Sequence, residues 1–128
     1  MNILVDTQAI IWFAENNPQL SANARSVMES DDNECFVSMA SFWEISIKMS
    51  LGKLIINNLT LSEFLGEVIE NGFLILDIRS DHVLENEKLA LFHRDPFDRL
   101  IIAQAISENM MVVSNDLAFD LYPIHRIW

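Results

Sequence analysis

Four carboxylic acids stand at points of this 128-residue chain where a carboxylate is held rather than freely solvated: Asp6, Glu44, Asp98 and Asp116. Asp6 closes the apolar run "NILV", and Asp116 lies just beyond "MMVVS". If those runs are neighbouring parallel strands, both acids meet at one sheet edge. Taken singly, each also reads as a helix N-cap. Glu44 precedes Lys48 by one helical turn, the spacing of an exposed ion pair worth a few tenths of a kcal/mol. Yet Trp43, Ile45 and Ile47 surround it, and a partly buried Glu needs a compensating charge. In "RDPFDR", Pro96 suits the first helical position, which makes Asp95 the N-cap and Asp98 the N3 residue at the capping-box offset. Asp98 then shares a helical face with Ile102 and Ala105 and points toward packed structure.

Brought together, such acids would repel one another, raise some of their pKa values and destabilise the fold unless a cation sat among them. Mg²⁺ or Mn²⁺, which prefer carboxylate oxygen and retain waters, fit best. His82, His93 and His125 have no ligand spacing, and Cys35 has no paired cysteine. Thr7 and Ser114 stand beside the acids as hydroxyls that hydrogen-bond carboxylates or a bound water, or as plain capping residues.

The elements that must position these groups alternate. Strands are predicted at 2–5, 34–38, 73–78, 110–114 and 124–128. Helices are predicted after Asp6, over 20–30 with Ser21 as N-cap, and over 39–52 closed by Gly52. Thr60 and Glu63 form a capping box for a helix ended by Gly72, with Leu59 and Phe64 as its hydrophobic staple. Further helices run from Ser80 to about Leu91 and from Pro96 to about Asn109. Short apolar strands separated by helices indicate a central parallel sheet of about five strands in a three-layer α/β/α sandwich. Ligands of such sheets sit beyond the carboxyl ends of the strands, where the strand order reverses.

No linker, repeat or low-complexity tract divides the chain, so residues 1–128 read as one domain. The longest apolar runs are far too short to span a bilayer, and "MNILVDTQAIIWF" has no basic n-region, so neither a membrane span nor a signal peptide is expected. A single cysteine fits a reducing cytoplasm. Apolar residues make up 51% of the chain, which suits well-buried elements and self-association. Ile11, Trp12 and Phe13 are expected in the core or at a dimer interface rather than on a ligand.

Four colinear segments, "LVDTQAIIWF", "SMASFWEISIKMSLGKL", "HRDPFDRLIIAQAISE" and "VVSNDLAFDLYPIHRIW", make the chain resemble the PIN-domain ribonucleases, and among them the VapC-type toxins of toxin-antitoxin pairs. The resemblance implies that Asp6, Glu44, Asp98 and Asp116 are the catalytic and metal-holding acids, with Thr7 as the usual small hydroxyl residue after the first. Asp95 matches no metal position of the general family. It implies a PIN-like sandwich, Mg²⁺- or Mn²⁺-dependent cleavage of RNA to a 3′-hydroxyl and a 5′-phosphate, a homodimer, and a cognate antitoxin that silences the toxin.

A formal charge of −11, from nineteen acids and eight bases, sits awkwardly with RNA binding. Cations would neutralise part of the site, and Lys48, Lys53, Arg94 and Arg99 fall in or beside the same motifs, where a phosphate uses them unless they are solvated or ion-paired. The remaining acidity suits a basic antitoxin segment. A noncatalytic PIN-like interaction domain, its acids binding only a structural cation, is the alternative. A phosphatase or receiver domain fits poorly, because "LVDTQA" lacks a second aspartate for D-x-D and no adjacent acid pair follows the first strand.

Overall fold

The computed structural model describes residues 1–128. Five strands, β1 (Asn2–Val5), β2 (Glu34–Ser38), β3 (Leu74–Leu76), β4 (Met111–Val113) and β5 (Arg126–Ile127), alternate with six helices: α1 (Thr7–Ala14), α2 (Ala22–Glu29), α3 (Met39–Ser50), α4 (Leu61–Glu70), α5 (Ser80–Lys88) and α6 (Pro96–Glu108). The strands form one sheet in the order β3-β2-β1-β4-β5, and every pairing is parallel. This is the α/β/α sandwich of the sequence reading. None of the helices is long and apolar enough to cross a membrane.

The two-residue period of β1 divides the core. Ile3 and Val5 face one side with α1, α2, Phe42, Ile45 and Phe64, while Leu4 faces the other with Ile101, Ile102, Ala105 and Phe119. A strand covered on both faces has no polar alternation, which is why the strand runs are apolar throughout. Chain order reverses beside β1: β2 and β3 lie on one side of it, β4 and β5 on the other. Val5 pairs with Val113, so the residues after β1 and β4 emerge side by side at the carboxyl edge.

Local signals placed most helix ends. Ser21 caps α2 through the Ala24 amide, and Thr60 and Glu63 close a reciprocal capping box at 2.9 and 3.1 Å. Gly52 and Gly72 take the left-handed conformations that end α3 and α4. Three expectations need correction. The 73–78 strand shrinks to Leu74–Leu76, and the last strand to Arg126–Ile127. Helix α5 ends at Lys88, short of Leu91.

The third departure has a physical cause in Arg99. Its guanidinium donates to the carbonyls of Asn86, Leu89, Ala90 and His93 at 2.9–3.3 Å. The Tyr122 hydroxyl donates to Ala90 O at 2.7 Å and accepts from the His93 amide at 2.8 Å. These contacts fix residues 89–95 as a loop pinned to α6. Arg99→Ala should therefore lower unfolding free energy by about 2–3 kcal/mol in urea titration. An unchanged midpoint would show that the loop is held by other contacts.

Candidate functional site

Asp6, Glu44, Asp98 and Asp116 line one open cavity of about 760 Å³ at the carboxyl edge of the sheet, with Thr7, Lys48 and Asp95. Ile11, Trp12, Leu54 and Leu117 also line it, so α1 serves the core and the cavity at once. Two of the acids are placed by the same local rule. Asp6 caps α1 by accepting from the Ala9 amide at 2.8 Å, and Asp116 caps a 3-10 helix, Leu117–Leu121, through the Ala118 amide at 2.9 Å. Capping uses one oxygen of each and fixes the carboxylate without exhausting it.

Asp95 caps α6, its Oδ1 accepting from the Phe97 and Asp98 amides at 2.8 and 3.1 Å. The reciprocal half of the capping box is missing. The Asp95 amide donates instead to His93 Nδ1 at 3.2 Å, and the Asp98 carboxylate is left to face the cavity. His93 Nε2 lies 2.8 Å from Asp116 Oδ2 and 3.2 Å from Asp98 Oδ2. The ligand atoms of His93, Asp98 and Asp116 are all within 4.8 Å of one another. Sequence reasoning set His93 aside for want of ligand spacing, and only the pinned loop brings it here.

Glu44 is buried and forms the helical ion pair: Lys48 Nζ donates to its Oε2 at 2.7 Å. Both readings of that residue thus meet in one side chain. The rest of α3 is wetter than the sequence suggested, with Trp43 57% and Ile47 38% exposed; Trp43 leans edge-on against Phe97.

The remaining candidates divide. The Thr7 hydroxyl donates to Ser41 Oγ at 2.8 Å rather than to an acid. Ser114 is fully buried; its Oγ accepts from the Asp116 amide at 3.1 Å, and its hydroxyl lies against Asp6. Arg99 is committed to loop carbonyls, a structural duty in place of the expected phosphate contact. Arg94 is exposed and, like Lys53, makes no ion pair.

Charge crowding is visible in the acids themselves. Burial pushes the Asp6 carboxyl up to about 6, the neighbouring Asp116 and Glu44 adding to it against the Ser114 hydroxyl and Ala9 amide. Burial, then the charge of Asp95, pushes Asp98 up to about 7 against the opposing pull of His93. Hydrogen bonding to Glu44 raises Lys48. A site so rich in carboxylate oxygen fits a hard divalent cation.

A second group, Asp81, His82 and Glu108, also clusters, but Arg79 already bridges Asp81 and Glu108. It reads as an ion-paired staple between α5 and α6.

The PIN domain family model matches residues 3–124. Several solved structures share the fold. A chain of VapBC2 from Rickettsia felis, solved bound to a DNA fragment from their promoter, aligns at TM-score 0.74 and 17% identity over 98% of this chain and 97% of that one. VapBC-1 from nontypeable Haemophilus influenzae aligns at 0.69 and 18% over 98% and 96%. FitAcB from Neisseria gonorrhoeae aligns at 0.62 and 17% over 97% and 95%. No curated protein matches the chain by sequence.

Proposed function

The chain belongs to the PIN domain family, and from that premise we propose that it is a single-domain, metal-dependent endoribonuclease, the toxin of a toxin-antitoxin pair acting in the cytoplasm. The observation that carries the reading is the convergence of Asp6, Glu44, Asp98 and Asp116 on one cavity from four separate elements, at the edge where chain order reverses.

Asp6, Asp98 and Asp116 would hold Mg²⁺ or Mn²⁺, with Glu44 beside them. A cation there supplies Lewis-acid polarisation of the phosphate and a more acidic water. The chain's own part is positioning and proton transfer. Lys48 occupies Glu44 Oε2 and leaves Oε1 to take the proton of the attacking water. Water oxygen bonds to phosphorus in line with the departing 3′ oxygen, which leaves with a solvent proton, giving a 3′-hydroxyl and a 5′-phosphate. Lys53 and Arg94, unpaired at the surface, receive flanking phosphates of the RNA.

The partner proposed is a cognate antitoxin with a basic segment, for which a chain of net charge −11 is a suitable surface. Exposed Trp43, Leu51, Ile55 and Leu84 favour a homodimer.

Metal removal is the test. Purified protein incubated with structured RNA should cleave it in Mn²⁺ or Mg²⁺, stop on addition of chelator, and resume on metal replacement. Cleavage indifferent to chelator would end the metal-dependent reading, and none under any condition would favour a PIN-like interaction domain with a structural cation.

A further inference from the structure

We propose that His93 is a positioning residue of the acid cluster, its Nε2–H donating to Asp116 with Asp98 alongside and setting the separation at which the pair receives a cation. The inference rests on the cation reading above and extends it to a group outside the four acids.

The ring's protonation pattern follows from its neighbours. The Asp95 amide donates to Nδ1, so that nitrogen offers its lone pair and the ring proton sits on Nε2. Nε2 is the atom within reach of both carboxylates, at 2.8 and 3.2 Å. A histidine that ligates metal through Nε2 must carry its proton on Nδ1, where it would confront the Asp95 N–H. Two donors facing each other in a partly buried site are unfavourable. The geometry therefore assigns His93 as a donor to Asp116, not as a fourth ligand.

The rest of its surroundings resist displacement. The backbone amide of His93 is taken by Tyr122 and its carbonyl by Arg99, and its ring packs edge-on against Phe119. The same residue completes the helix start. By accepting the Asp95 amide it replaces the missing half of the capping box, which frees Asp98 to point into the cavity. Residues that orient metal-holding carboxylates in this way are worth about 10- to 100-fold in metal affinity.

The experiment compares Mn²⁺ binding to wild type, His93→Ala and His93→Gln by calorimetry and pulsed EPR, with circular dichroism of each to establish the fold. Glutamine keeps an N–H at similar reach. Wild type should bind Mn²⁺ without nitrogen coupling from the protein, Ala should bind about 10- to 100-fold more weakly, and Gln should recover most of that loss. Equal affinity in wild type and a folded Ala variant overturns the assignment. So does a folded Gln variant as weak as Ala. A nitrogen coupling present in wild type and lost in His93→Ala makes His93 a ligand and overturns it differently. If wild type binds no Mn²⁺, the cation reading itself fails and His93 falls with it.

Discussion

Asp98→Asn is expected to lower RNA cleavage by at least about 1,000-fold, on the order of 4 kcal/mol of barrier, while Asp95→Asn leaves the rate within about threefold. The two aspartates stand three apart at one helix start, so they make a controlled pair. Asn caps a helix nearly as well as Asp, and Asp95 spends its Oδ1 on the Phe97 and Asp98 amides. Its replacement should disturb little beyond the field it exerts on Asp98. Asp98 holds no cap. Its carboxylate faces the cavity with Asp6, Glu44 and Asp116, and an amide there keeps the shape while deleting the charge that would hold a cation. Rates are to be measured on one RNA at saturating Mn²⁺, with thermal melts showing each variant folded. Equal rates in wild type and Asp98→Asn would remove the catalytic role; equal losses in both variants would return Asp95 to the site.

Why the pair could be separated from sequence, and His93 could not, is a matter of range. Proline at N1, a capping aspartate before it and an acid at N3 are rules acting within one helical turn, and they placed Asp95 and Asp98 correctly on α6. Asp6 and Asp116 followed from strand periodicity plus the parallel-sheet rule, and the Val5–Val113 register supplied the adjacency that the sequence could state only conditionally. His93 depends on a loop whose shape is imposed by Arg99 on one helix and Tyr122 near the chain end. No local pattern encodes that. The same long-range contacts ended α5 early and diverted Arg99 from the phosphate contact expected of it. Glu44 shows a milder limit: apolar neighbours in sequence implied a buried helix, whereas Trp43 and Ile47 turned out to face solvent.

Metal-free protein is expected to lose stability as pH rises from about 5.5 to 8, with Mn²⁺ restoring more at pH 8 than at 5.5. The sign follows from Asp6 and Asp98, whose folded values are raised from 3.8 to about 6 and about 7. Folded protein binds these protons more tightly than unfolded protein does. Their cost is absent below about pH 4, where both states are protonated, and grows as pH climbs through the raised values. Other carboxylates act oppositely. Asp81 is held down to about 2 by Arg79, and hydrogen bonding from Arg126 lowers Asp120; such groups stabilise above their unfolded values and lose that contribution only as pH falls through the acid range. They are solvent-exposed and contribute little, so between pH 5.5 and 8 Asp6 and Asp98 make stability fall as pH rises. Discounted for the partial solvent contact of Asp98, the loss is on the order of 2 kcal/mol, or roughly 5–10 °C in melting temperature. A cation competes with protons for the same oxygens, and therefore gains ground as pH rises. Asp98→Asn should flatten the slope in chelator and shrink the Mn²⁺ response. Melting temperatures that stay level in chelator from pH 5.5 to 8, and do not move with Mn²⁺, would mean that the acids are neither as crowded nor as short of positive charge as their packing implies.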